Sequence, residues 1–149
     1  MKGSRGSANT DANRRLAMLW GDDDTVKNPV GTSYDSEQSN GTVQNHLSNP
    51  DSLYNHYKKL IAIRKAHPEI AYGTFTPLKT DSKFSGFIST FNNSSVLVLH
   101  NTSQSSVEID LSTITDFQVS VLSAYAGAGD AKLEGTVLTV SGQTSVILK

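Results

Sequence analysis

Cysteine is missing from all 149 residues, so neither disulfides nor thiolate metal sites can contribute to this protein. That absence fits a cytosolic or an exported life equally, and the compartment stays open. Charge of one sign is also missing: the net charge is -1, and the basic residues do not cluster with aromatics, which argues against nucleic acid as a partner. No apolar run approaches the ~18 residues of a membrane span, so a membrane is not expected as a partner either. The opening residues "MKGSRGSANTDANRR" have no apolar stretch of the kind found in export signals. Aromatics make up 7% of the chain with a single Trp, too few to force a reading as a sugar-binding surface. G-x-S-x-G, a phosphate-cradling glycine loop and a cysteine nucleophile are absent too, which removes the common hydrolase and nucleotide motifs.

Three textures are present. Residues 1–47 are rich in Gly, Ser, Asn, Asp and Thr around one apolar cluster, "RRLAMLW", and read as a loop-rich leader. Residues 49–70, "NPDSLYNHYKKLIAIRKAHPEI", read as one long amphipathic helix. Leu53, Tyr54, Tyr57, Leu60, Ile61 and Ile63 share one side, an arc of roughly half the circumference where ~100° is usual. Such a helix calls for two neighbours. Asn49 is the expected N-cap with Pro50 at the first helical position, and Pro68 ends the helix near His67.

From residue 70 the chain changes to short β-rich runs at a spacing of about ten residues, which indicates an antiparallel β-sandwich. The runs are "YGTFTPL", "SGFISTF", "SVLVLHN", "SVEIDL", "FQVSVLS", "GTVLTV" and "TSVILK", with "FNNSSV", "AYAGAGDAK" and "SGQTS" as turns. Asn92 and Asn93 tolerate positive φ and mark a hairpin. Phe87, Val96, Val98, Ile109, Val119, Val121, Val137, Val140, Ile147 and Leu148 are expected in one buried interface between sheets. The fold class is thus mainly β: a sandwich preceded by a long helix and an irregular leader.

Candidate chemistry is sparse. Asp22, Asp23 and Asp24 could wrap a hard cation, but their spacing does not match a calcium loop, and a solvated loop is the expectation. His46, His56, His67 and His100 show no metal-pair spacing and read as structural. Tyr54 and Tyr57 are expected in the core, and Trp20 in either a core or a cleft. Asn40, Asn92, Asn93 and Asn101 head N-x-[ST] patterns that carry little weight in so Asn- and Ser-rich a chain. No residue is assigned as catalytic, cofactor-binding or metal-binding, and no cofactor is expected.

"DANRRLAMLW" is similar to a D-x-x-x-R-x-P-M-x-W motif through Asp11, Arg15, Met18 and Trp20, with Ala17 in place of the proline. "PDSLYNHYKKLIAIRKAHP" is similar to a helix pattern through Asp51, Ser52, Leu53, Tyr57, Leu60, Ile61, Arg64, Lys65, His67 and Pro68. Together with "SVLVLHNTS" and "LTVSGQTSVIL", these segments resemble the C-terminal end of the alpha-amylase family of glycoside hydrolases, of alpha-amylase and oligo-1,6-glucosidase type. The resemblance implies that residues 1–69 are the end of a (β/α)8 barrel and residues 70–149 a small β-sandwich, domain C. It implies further that the catalytic Asp, Glu and Asp lie on barrel strands ahead of Met1. The chain alone is then inactive, and its role is to close and stabilise the barrel. Expected partners are the remaining barrel portion, an alpha-glucan bound weakly or not at all, and a second copy of the chain through the bare helix face. A stand-alone carbohydrate-binding or interaction sandwich is the alternative.

Overall fold

The computed structural model describes residues 18–24, 41–78 and 83–149. "MKGS", Asp11 and Arg15 of the N-terminal motif, Leu16, Asn40 and most of the 22–42 loop lie outside these residues. The chain divides into two compact units, Met1–Tyr57 and Lys58–Lys149.

In the first unit, Val43 and Gln44 donate main-chain hydrogen bonds to Leu19 and Trp20 at 2.8 and 3.0 Å. Helix α1 (Val43–Ser48) begins with a reciprocal capping box between Thr42 and Asn45. The next helix, α2 (Leu53–Ala66), starts three residues later than Pro50, because Asn49 ends α1 instead of opening α2. Ser52 is the cap: its Oγ accepts from Asn55 N at 3.2 Å and donates to His46 O at 2.6 Å. Asn55 Nδ2 donates to Asn49 O at 2.8 Å. These side chains satisfy carbonyls at the end of α1, which requires the break before α2.

The first part of α2 is exposed, Leu53 at 68%, Tyr54 at 46% and Tyr57 at 58%, so the two tyrosines are not core residues in this chain. Nothing in the helix is buried. Pro68 ends it as expected, but the chain does not pass directly into a strand. Proline suits a first helical position, and a short helix α3 (Pro68–Tyr72) follows.

The second unit is an antiparallel sandwich of two sheets. One has the order β1-β2-β3-β8-β5, from β1 (Thr74–Pro77), β2 (Ser85–Phe91), β3 (Ser94–Asn101), β5 (Leu122–Gly127) and β8 (Thr144–Leu148). The other has the order β4-β7-β6, from β4 (Val107–Asp110), β6 (Ala131–Glu134) and β7 (Val137–Val140). Asn92 and Asn93, at φ 49° and 63°, turn the chain from β2 into β3 as expected. Gln143 at φ 54° turns β7 into β8. "FQVSVLS" is a strand only from Leu122, and "AYAGAGDAK", expected as a turn, supplies the end of β5 and the start of β6.

The single interface expected from the alternation is in fact two. Leu97, Leu99, Val146 and Leu148 point inward and meet Ile109, Leu138 and Val140 of the smaller sheet. Val96, Val98 and Ile147 point outward, where they pack with Ile63, Ile70, Phe87 and Ala124. Strand β3 is therefore buried on both faces, as a continuous apolar run allows. Val121 is 49% exposed and Val137 half-buried, while Val119 packs against the inner cluster. Among the described residues no helix is long and apolar enough to cross a membrane.

Candidate functional site

Two features of the second unit stand out against the ordinary sandwich. The first is an ion pair between a buried carboxylate and an exposed lysine. Glu69 on α3 is 1% exposed, yet its Oε1 accepts from Ser94 Oγ at 2.5 Å and lies 2.9 Å from Lys149 Nζ. Its carbonyl accepts from Ser89 Oγ at 2.6 Å. Burial opposes the charge, but the hydrogen bonds from Ser94 and Lys149 outweigh it and hold the carboxyl down to about 2. Gly73 makes this seat possible, because a Cβ there would run into Glu69 O and Ser89 Oγ. Helix α3 is thus pinned to the β2–β3 hairpin and to the last residue of the sequence.

The second feature is aromatic. Cross-strand partners share a face, so the pairs Phe75↔Ser89, Phe87↔Val98, Ser85↔His100 and His100↔Ser145 place these side chains on the outer face of the five-stranded sheet. Phe75 is 59% exposed and its ring centroid is 4.7 Å from that of Phe87. Phe87 lies 6.1 Å from His100, whose Nδ1 is 2.7 Å from Ser145 Oγ. Burial pushes His100 below its ordinary value, which favours the neutral imidazole. Tyr72 and Phe91 form a second pair at 5.7 Å. Phe84, by contrast, goes to the inner core at 8% exposure, with Phe117 and Tyr125 packed against the same cluster.

The remaining polar candidates serve the fold. Asp24 Oδ2 accepts from Trp20 N and Gly21 N at 2.6 and 2.9 Å, and these bonds, that of Gly21 first, lower its carboxyl. Asp22 Oδ1 accepts from Thr42 Oγ1 at 3.1 Å and Asn45 Nδ2 at 3.2 Å. Asp110 caps a 3-10 turn through Ser112, which lowers it likewise. His67 is buried, its Nε2 3.4 Å from Ser123 Oγ at the bulge in β5. Trp20, left between core and cleft by the sequence, is 68% exposed. Asn101 is 3% exposed and ties the β3–β4 turn to β7, with Nδ2 donating to Ser105 O at 2.8 Å and Val140 O at 3.1 Å.

The sandwich strands also carry the decisive similarity: residues 85–147 match the family described as alpha-amylase SusG C-terminal domain. This chain carries an alpha-amylase-family C-terminal domain. The oligo-1,6-glucosidase of Parageobacillus thermoglucosidasius is 31% identical over 96 residues, 62% of this chain and 17% of that protein. Among solved structures, Eubacterium rectale Amy13B superposes with a TM-score of 0.79 at 26% identity, over 100% of this chain and 29% of its own. The trehalulose synthase MutB from Pseudomonas mesoacidophila MX-45 shares the fold, with a TM-score of 0.60 at 19% identity, over 72% of this chain and 19% of its own. The chain therefore spans less than a third of the length of each of these relatives.

Neither notable feature had a full sequence signal. Phe87 was expected between the sheets, yet it lies on the outer face with Val96 and Val98. Glu69 gave none, since its partners Ser94 and Lys149 lie 25 and 80 positions away in the sequence.

Proposed function

We propose that this chain acts as the C-terminal part of a longer alpha-amylase-type glycoside hydrolase whose substrates are alpha-glucans such as starch and maltooligosaccharides. In this reading residues 1–69 complete a barrel, residues 70–149 form the accessory sandwich, and the chain by itself is catalytically inert. The observation that carries it is helix α2: fourteen residues with Leu53, Leu60 and Ile61 at 68%, 37% and 53% exposure and nothing buried. An apolar stripe of this kind belongs against another element. The greater length of the relatives supplies a reason for one to exist. Retaining hydrolysis also needs two carboxyls about 5 to 5.5 Å apart across the bond. The hydrogen-bonded carboxylates described above are occupied in caps and an ion pair instead.

The test is hydrolysis of starch, maltooligosaccharides and an aryl alpha-glucoside by the purified chain. No turnover is expected. Activity that co-purifies with the chain and disappears on replacing one of its own acids would overturn the reading. Without a barrel, the stripe on α2 is expected to pair with a second copy. Light scattering should then show association that Leu53→Lys with Leu60→Lys abolishes, and a concentration-independent monomer would refute that pairing.

A further inference from the structure

We propose that the outer-face strip running from Phe75 through Phe87 to His100 and Ser145 is a holding site for a neutral alpha-glucan chain. The choice of glucan rests on the functional reading above, whereas the existence of the site rests on the strip itself.

Four properties combine there. First, the strip offers an exposed ring face: Phe75 lies on the edge strand β1, is 59% exposed, and is braced at 4.7 Å by Phe87. Second, the rings border polar groups on the same face, since Ser85 pairs with His100 across β2 and β3, and His100 bonds Ser145 at 2.7 Å. An exposed apolar patch rimmed by hydrogen-bonding groups is typical of ligand grooves. Third, the strip holds no carboxylate, ammonium or guanidinium group, and burial favours the neutral form of His100. That offers nothing to a phosphate or a carboxylate and suits an uncharged polyol. Fourth, the ring centroids step from Phe75 to Phe87 by 4.7 Å and from Phe87 to His100 by 6.1 Å. A short oligosaccharide can lay the apolar face of one ring on Phe75 and reach His100 and Ser145 with the hydroxyls of the next.

The experiment is a titration of the intact chain, labelled for amide detection, with maltohexaose and in parallel with cellohexaose. Saturable shifts centred on Phe75, Phe87 and His100 are expected with maltohexaose, at about millimolar affinity. Phe75→Ala, at an exposed position, should weaken binding about tenfold while the rest of the spectrum stays in place. His100→Gln keeps a polar group and should weaken it less. No shift up to about 10 mM sugar overturns the proposal, as does an unchanged response in Phe75→Ala or an equal response to cellohexaose. The hydrolysis assay is read separately: turnover by the chain would sink the functional reading and leave the binding map standing, and silent spectra would do the reverse.

Discussion

Strand β3 and helix α2 hold comparable shares of apolar residues, four of eight and eight of fourteen, and meet opposite fates. Val96, Leu97, Val98 and Leu99 are all 5% exposed or less, whereas no residue of α2 is buried. The strand sits between β2 and β8 with both faces covered. The helix owes its definition to its ends, through Ser52 and Asn55. Apolar content alone does not produce a core; neighbours do.

The largest expected effect separates the two directly. Leu97→Ala should cost about 2 to 5 kcal/mol in denaturant unfolding of the intact chain, and Leu53→Ala no more than about 0.5 kcal/mol. The comparison is made at a dilution where light scattering shows the monomer, and equal costs there would break it.

Next comes the ion pair that fastens α3. A folded-state value of about 2 against the ordinary 4.5 lies below the unfolded one, so the unfolded chain takes up more protons on acidification. The stabilisation is complete above pH 4.5 and is lost as pH falls toward 2. Glu69→Gln should destabilise the chain at neutral pH and flatten that acid limb. An unchanged pH dependence in this variant would remove Glu69 as the cause.

The β2–β3 hairpin should be less sensitive. Replacing Asn92 and Asn93 together by Ala, at φ 49° and 63°, is expected to cost about 1 to 2 kcal/mol, and Asn93→Gly almost nothing. A double-alanine variant as stable as the parent would mean that the turn conformation adds nothing to β3.

The smallest effect sharpens the comparison most, because it pits neighbours against each other. Ser52→Ala removes the cap and should cost about 1 kcal/mol, more than Leu53→Ala one residue on. Thermal unfolding followed by helix signal can rank the two. The reverse order would mean that burial, not capping, holds α2.

Much of the fold was legible. The strand runs, the Asn92–Asn93 turn, the stop at Pro68 and the alpha-amylase resemblance all rest on local patterns or on chain order, which a sequence displays directly. The start of α2 was misplaced because Asn49 and Ser52 are both competent caps, and the choice depended on which carbonyls of α1 needed donors. Tyr54 and Tyr57 were misplaced because an apolar arc shows which side of a helix wants cover without showing that cover exists. The aromatic strip was not legible: Phe87 was expected between the sheets and His100 as a structural histidine, and their convergence with Phe75 and Ser145 required the register.

By itself, then, the sequence determined the Asn92–Asn93 turn and the course of β2 and β3 on either side of it, and that alternate residues of β3 face opposite ways, because the pleat has a period of two and Asn relieves positive φ. Only the tertiary structure decided that Leu97 and Leu99 face the smaller sheet while Val96 and Val98 face Ile63 and Ile70, and that Glu69 is charged in the interior. Both outcomes depend on groups far apart in the chain, and no local rule of spacing or propensity carries information about what a surface will meet.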